Sequence, residues 1–196
     1  MVFDKNAVIE YFTTDAVEED FSPKFTRPEL LNHPNIPKPL HSLAPRTFMK
    51  AKEWDIIRRE AYARNNYCCF ACGVHHPYNL DKKRFVDKKL HAHESYNIDY
   101  EKKSMELVEI VALCPLCHDS IHSGRMNSLF DKGVLDEEDC WLIVSQRERV
   151  LKHEVDKAVV PCYCDDCWGK WKIVIDGKEY FSKWKNKQEW REHYDR

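Results

Sequence analysis

The stretch LCPLCHDSIH, residues 113–122, carries the most information about the fold of this chain. It contains two cysteines separated by two residues, Cys114 and Cys117, and a second pair with the same spacing, Cys69 and Cys72, lies upstream. Each C-x-x-C turn presents two thiolates, and two such turns together form a closed tetrahedral zinc site that stabilises a fold. The 41 residues between the pairs are too many for a minimal zinc ribbon but suit a zinc knuckle joined to a helix.

The cysteine content of the chain favours metal binding over disulfides. There are nine cysteines in 196 residues, an odd number, and the first residues lack the basic and apolar segments of a secretion signal. Cys68 is a spare, because only Cys69 keeps the two-residue spacing to Cys72. No apolar run approaches the roughly 20 residues of a membrane-spanning helix. We therefore expect a soluble, cytoplasmic protein with no membrane partner.

Histidines next to the second cysteine pair form another candidate metal site. His118 follows Cys117 directly, and His122 comes four residues later, so a helix beginning at this turn would carry both imidazoles on one face. His91 and His93 share one face if their segment is a strand, because strand side chains alternate. The sequence thus predicts that a structural zinc ion orients a helix whose histidines hold a second, more open metal ion.

The remainder of the chain predicts an α+β protein. Six of the nine prolines fall between Pro23 and Pro45, which favours an extended strap over a helix. Alternating residues around Asp176-Gly177 predict a C-terminal β-hairpin with a type I′ turn. Hydrophobic periodicity predicts the other elements: helices over 47–65, from the second cysteine turn to 131, and over 137–158 with Asp136 as its cap, and strands over 84–93 and immediately before Cys114.

These elements divide the chain into four segments. They are an N-terminal arm and proline-rich strap (1–46), a zinc-braced core with its preceding helix (47–132), a long helix (133–160), and a cysteine-containing turn with the terminal hairpin (161–196). The last segment holds a third cysteine cluster, which we interpret either as a second zinc site or as a turn with reduced thiols: Cys162, Cys164 and Cys167, with Cys140 or His153 as a fourth ligand. Its tryptophans fit the core of the hairpin better than a base-stacking surface.

The motifs CFAC (69–72), LHAHE (90–94) and LCPLCHDSIH (113–122) together resemble the HNH nuclease family. The resemblance is to the subgroup with a ββα-metal, treble-clef-like core braced by a four-cysteine zinc site, and it covers residues 50–131. It implies a metal-dependent endonuclease that hydrolyses phosphodiester bonds in DNA, with RNA left open as a substrate. It also implies a structural Zn²⁺ and a catalytic divalent cation, which could be Mg²⁺, Mn²⁺, Ni²⁺ or Zn²⁺.

The resemblance assigns roles to individual residues. His118 and His122 would hold the catalytic ion, and His93 would take a proton from the attacking water. The strand sequence leaves two alternatives. Either His93 is the base and a metal ligand is missing or supplied by His91, or His93 is the ligand and Glu94 occupies the position of the base. Basic residues that would contact phosphates lie before and after the first cysteine pair: Arg58, Arg59, Arg64, Lys82, Lys83 and Arg84.

One departure from the family pattern supports a second hypothesis. Glu109 stands where the family commonly has the asparagine of its name. Together with the net charge of −2, this keeps open a zinc-stabilised module that binds nucleic acid or protein with weakened catalysis. The sequence does not indicate the oligomeric state.

Overall fold

The computed structural model of the chain describes residues 22–75, 90–152 and 165–194. These ranges contain helices and one sheet, which is compatible with the predicted α+β class. In chain order the elements are α1 (Pro45–Phe48), α2 (Ala51–Arg64), β1 (His91–Asp99), β2 (Ser104–Leu113), α3 (Pro115–Ile121), α4 (Ser123–Asp131), α5 (Glu137–Leu151), β3 (Lys172–Ile175), β4 (Lys178–Phe181) and α6 (Lys187–Tyr194), with 3-10 helices at Pro28–Asn32, Lys38–Leu40 and Asp165–Lys170.

The sheet has four strands in the order β1-β2-β3-β4. β2 pairs in parallel with β3, with Ser104 opposite Lys172, and β3 pairs antiparallel with β4. Asp176 and Gly177 join β3 to β4 and have φ angles of 50° and 74°, the positive values of a type I′ turn. The predicted C-terminal hairpin is therefore confirmed.

The described residues divide into two compact units, each built from several separate stretches of chain. The first, which we call the cysteine unit, comprises residues 22–32, 59–75, 90–93 and 111–152 of the described ranges. The second, which we call the tryptophan unit, comprises residues 33–58, 94–110 and 165–194. Neither unit coincides with one of the four segments predicted from the sequence. No helix in the described ranges is long and apolar enough to cross a membrane.

The core of the cysteine unit forms around the end of β2 and the helices that follow it. Val111, Leu113 and Ile143 have no exposed surface and pack together with the cysteines of both C-x-x-C turns. The N-terminal strap contributes Leu31, which is also fully buried, and the Arg147 guanidinium donates a hydrogen bond to its carbonyl. The strap thus buries apolar side chains, as predicted.

The buried Asn65 side chain ties the strap to the end of α2. Its amide oxygen accepts a hydrogen bond from the Phe25 backbone N–H at 3.1 Å, and its amide nitrogen donates to the Phe25 carbonyl at the same distance. The Arg27 N–H donates to the Phe70 carbonyl at 2.6 Å, so the strap also binds the first cysteine turn. These bonds satisfy buried polar groups that would otherwise destabilise the fold.

The tryptophan unit has an aromatic and aliphatic core. Trp171, Met105 and Ile173 are buried together with Leu40 from the strap. The Ser182 hydroxyl donates to the Pro39 carbonyl at 2.6 Å, and the indole N–H of Trp184 donates to the His41 carbonyl at 3.2 Å. Trp168, Trp171 and Trp184 are therefore core residues of this unit, in line with the favoured interpretation of the sequence, whereas Trp190 is half-buried.

The three predicted helices differ from the structure in their extent. The helix expected over 47–65 begins only at Ala51, as α2, and the separate short helix α1 precedes it. The helix expected to run from the second cysteine turn to residue 131 is interrupted at His122, whose φ and ψ angles of −95° and 57° are not helical. Asp136 caps α5 as predicted, because its carboxylate accepts from the Asp139 N–H at 2.9 Å. α5 then ends at Leu151, and Lys152 adopts the left-handed conformation that terminates a helix. Residues 84–89 and 153–158 of the predicted elements lie outside the described residues.

Candidate metal centre

The first cysteine pair lies on a tight turn that is held by backbone hydrogen bonds. The Gly73 N–H donates to the Cys69 carbonyl at 2.9 Å, and the Cys69 N–H donates to the Val74 carbonyl at 2.8 Å. Gly73 has a φ of +76°, and a Cβ atom there would lie 3.0 Å from the Cγ2 atom of Thr26. Both the conformation and the close strap contact therefore require glycine at the end of this turn.

The second cysteine pair begins helix α3. Cys114 is the N-cap residue, with an extended backbone, and its sulfur accepts from the Cys117 N–H at 3.5 Å. Pro115 occupies the first helical position, where a missing N–H costs nothing. The Phe70 N–H donates to the Ala112 carbonyl at 2.8 Å, which joins the first cysteine turn to the end of β2.

The four predicted zinc ligands come together. The sulfurs of Cys69, Cys72, Cys114 and Cys117 all lie within 4.8 Å of one another. The sulfurs of Cys72 and Cys114 are 3.8 Å apart, and a tetrahedral site with Zn–S bonds of about 2.3 Å has edges of about 3.8 Å. The geometry of the cluster therefore fits a zinc ion.

A bound cation would favour ionisation of all four sulfurs in the cluster. Burial opposes ionisation of Cys69, but hydrogen bonds from Cys114 and Cys117 hold its pKa well below the ordinary value. The hydrogen bonds of Cys114 to the other sulfurs, followed by burial, raise its pKa well above the ordinary value. Four adjacent thiolates repel one another, and a bound divalent ion removes this penalty.

Cys68 does not belong to the cluster. Its backbone pairs with His75, and its thiol donates to the Asn66 carbonyl at 3.5 Å. Burial, followed by the charges of Cys69 and Cys72, raises the pKa of Cys68 to about 11. It is therefore a protonated thiol, as expected for the spare cysteine.

A glutamine that the sequence analysis missed contacts the four-cysteine cluster. The Gln146 side chain, fully buried on α5, donates from Nε2 to the Cys117 sulfur at 3.5 Å. Its amide oxygen accepts two hydrogen bonds from the Arg149 guanidinium, at 2.9 and 3.2 Å. A donor aimed at a sulfur stabilises the thiolate form that binds metal. No sequence spacing points to Gln146, because 29 residues separate it from Cys117.

Three of the predicted histidines converge beside this cluster. One nitrogen from each of His93, His118 and His122 lies within 4.8 Å of the other two. His93 is only 4% exposed, and its ring centroid is 5.1 Å from that of His122 and 5.5 Å from that of His118. Although His122 ends helix α3, its ring still lies 4.7 Å from that of His118. We call these three residues the histidine cluster.

Alternation of side chains along β1 places the two candidates for the general base, His93 and Glu94, on opposite faces of the strand. His91 and His93 lie on one face of β1, and alternation places the neighbouring Glu94 on the other. Glu94 belongs to none of the potential metal-binding groups among the described residues. His91 does belong to one, with His118 and Asp119, and its ring lies 4.5 Å from that of His118.

Asp119 is a second site residue that the sequence analysis did not single out. Its buried carboxylate lies 3.1 Å from Nδ1 of His118 and accepts a hydrogen bond from Arg125 at 2.7 Å. Burial opposes ionisation, but the His118 hydrogen bond and the Arg125 charge lower the pKa of Asp119 below its ordinary value. The sequence signal that could have identified Asp119 is its position directly after the predicted ligand His118, in the string C-x-x-C-H-D.

The predicted nucleic-acid contacts have different environments. Arg59 and Arg64 are exposed on α2, and the Arg64 guanidinium lies over the Phe70 ring at 5.2 Å. Arg58 forms an ion pair with Asp55. Glu109 is half-buried on β2. Lys82, Lys83 and Arg84 lie outside the described residues, so the phosphate-binding surface stays a prediction.

The predicted second zinc site also stays a prediction. Cys162, Cys164 and His153 lie outside the described residues. Cys167 is disulfide-bonded, a bond that must be reduced before its sulfur could bind zinc. Cys140 is half-buried on α5, and burial followed by the charges of Asp139 and Asp136 raises its pKa.

Comparison of the chain with models of known protein families, with curated proteins and with solved structures finds no match. Functional inference therefore depends on the geometry of the two clusters.

Proposed function

We propose that this protein is an HNH-type, metal-dependent endonuclease that hydrolyses phosphodiester bonds in DNA. The observation that carries the proposal is the convergence of His93, His118 and His122 within 4.8 Å, beside a four-cysteine cluster. The order β1-β2-α3, with the second cysteine pair at the start of α3, supports a ββα-metal core.

The histidine cluster is suited to bind a divalent cation. Neutral imidazole is a common ligand of transition metals, and three imidazole nitrogens at this separation can reach one ion. When bound, such an ion offsets negative charge that develops on a phosphate in the transition state. The four-cysteine cluster differs in function, because its ligand set is closed and serves to hold α3 against the first cysteine turn.

His93 is the residue we expect to be essential. It is the buried member of the histidine cluster and lies on β1, and a neutral imidazole there can accept a proton from a water molecule or bind the ion. His118 and His122 act as metal ligands in either case. Alternation along β1 directs Glu94 to the opposite face, which favours His93 over Glu94 as the base.

Plasmid cleavage tests this proposal directly. The full-length, zinc-loaded protein is incubated with supercoiled DNA and Mg²⁺, Mn²⁺ or Ni²⁺, beside His93→Ala and His193→Ala. We expect the wild type to convert the plasmid and His93→Ala to lose about 100-fold or more in rate. His193, an exposed histidine on α6, is the matched control and should retain activity. Equal cleavage by His93→Ala, or no cleavage with any ion, would contradict the proposal and favour the binding module.

A further inference from the structure

The buried carboxylate of Asp119 makes its contacts directly beside the histidine cluster. Its side chain is 7% exposed, and its Oδ1 atom lies 3.1 Å from Nδ1 of His118. The same oxygen accepts a hydrogen bond from the Arg125 guanidinium at 2.7 Å. The planar Arg125 guanidinium thereby holds this carboxylate in position beside the His118 ring.

We propose that Asp119, held by Arg125, is a positioning residue for His118. This proposal rests on the proposed metal-binding role of the histidine cluster. A histidine ring has two nitrogens, and a carboxylate that accepts a hydrogen bond from one of them leaves the other deprotonated and able to bind an ion. Since Nδ1 of His118 faces Asp119, Nε2 is the nitrogen presented to the metal.

A different assignment would make Asp119 a metal ligand itself. His91, His118 and Asp119 each place one ligand atom within 4.8 Å of the other two, so they could in principle hold a second cation. The Arg125 guanidinium argues against this assignment, because it already occupies the Oδ1 atom that faces His118. A second cation there would approach a positive charge at close range. The arginine therefore favours orientation of one metal ligand over a two-ion site.

Substitutions of Arg125 and of Asp119 can separate orientation of His118 from an effect on folding. The Arg125 side chain is 53% exposed, so its replacement should leave the packing of the cysteine unit intact. Asp119 is buried, and its replacement by asparagine keeps the shape of the side chain while removing its charge. The pair Asp119→Asn and Arg125→Gln thus distinguishes orientation of His118 from a general effect on folding.

Metal titration tests the proposal on the full-length protein with zinc bound to its cysteines. Co²⁺ is added and its ligand-field absorption is followed for the wild type, Asp119→Asn and Asp131→Asn, an exposed control on α4. We expect Asp119→Asn to weaken Co²⁺ binding by about 10- to 100-fold and to shift the absorption bands. Zinc content and the control titration should not change. Unaltered Co²⁺ affinity and spectrum in Asp119→Asn would overturn the proposal.

Two further measurements determine which nitrogen of His118 is protonated and how many Co²⁺ ions bind. Long-range proton–nitrogen NMR of the wild type should show His118 protonated at Nδ1 before Co²⁺ is added; protonation at Nε2 would overturn the proposal without any substitution. The wild type should bind one Co²⁺ at its histidines, and Arg125→Gln should keep this site and its zinc content. A second Co²⁺ bound by the wild type would support the two-ion assignment and overturn ours. The NMR result applies even if the protein cuts no DNA, so failure of the nuclease proposal can be distinguished from failure of this one.

Discussion

The cysteine unit and the tryptophan unit are stabilised by different means. Three buried core side chains of the cysteine unit, Cys69, Cys114 and Cys117, are thiols that meet the half-buried Cys72, and four thiolates there would repel one another unless a cation is bound. The core of the tryptophan unit consists of apolar and aromatic side chains around Trp171, with no metal-binding group among its described residues. A bound ion would therefore complete the core of one unit, whereas the core of the other consists of apolar and aromatic side chains.

This difference agrees with the proposed function. In the cysteine unit a zinc ion would fix the start of α3, and α3 carries the proposed ligand His118. A bound ion positions side chains more rigidly than apolar contacts do, because metal–ligand bonds are directional. The core around Trp171 contains no proposed metal ligand that must be positioned. The less directional contacts of aromatic packing are sufficient there. The following substitutions test this contrast.

The largest effect is expected from loss of a zinc ligand. Cys114→Ser should abolish zinc binding and unfold the cysteine unit, because structural zinc contributes about 10–16 kcal/mol of apparent binding free energy and whole domains are stable by only about 5–15 kcal/mol. Hydrogen exchange should become fast over residues 111–121. Zinc per chain is measured by elemental analysis.

The control for this substitution is Cys68→Ser. Cys68 is equally buried and adjacent to a ligand, yet its thiol faces the Asn66 carbonyl rather than the other sulfurs. The Cys68→Ser protein should bind one zinc ion per chain. A Cys114→Ser protein that retained stoichiometric zinc, or a Cys68→Ser protein that lost it, would refute the assignment of the four ligands.

A substitution in the tryptophan core should cost less and leave zinc in place. Trp171 is 3% exposed and packs against the Tyr100 ring at 6.0 Å. Trp171→Ala should lower the free energy of unfolding by about 3–5 kcal/mol, the usual cost of a large aromatic side chain in a core. Urea unfolding followed by circular dichroism measures this change. Zinc content below one ion per chain would show that the two cores do not differ as described.

Loss of the Gln146 hydrogen bond should weaken zinc binding without abolishing it. Gln146→Leu removes the N–H that Cys117 accepts, and such outer partners typically contribute about 10- to 100-fold in metal affinity. Competition with a chromophoric chelator measures the affinity. Gln188→Leu on exposed α6 is the matched control, and equal zinc affinities in the two variants would show that the Gln146 contact has no effect on the ion.

The smallest effect is expected at the cap of α5. Asp136→Ala removes the carboxylate that accepts from the Asp139 N–H, which should lower the free energy of unfolding by about 1 kcal/mol. Zinc affinity should stay unchanged, because the cap stabilises a helix rather than the ion. Asp131→Ala, an exposed control, should have no measurable effect in thermal unfolding. A changed zinc affinity in Asp136→Ala would contradict this separation.

Local sequence signals predicted several elements correctly. The Asp176-Gly177 turn and the Asp136 cap depend on residues a few positions apart, and both are present in the structure. The continuous helix to residue 131 was wrong at His122, because hydrophobic periodicity does not register a single residue with non-helical angles. The contributions of Gln146 and Arg125 could not be predicted, since they depend on where helices pack.

The amino-acid sequence alone determined which donor atoms are available, since thiolate and imidazole chemistry belongs to each residue and C-x-x-C spacing places two sulfurs on one turn. Only the tertiary structure decided which donors meet. It brings His93 to His118 and His122, turns Glu94 toward the other face of its strand, and places Asp119 between His118 and Arg125. These outcomes depend on the packing of distant segments, which no local pattern encodes.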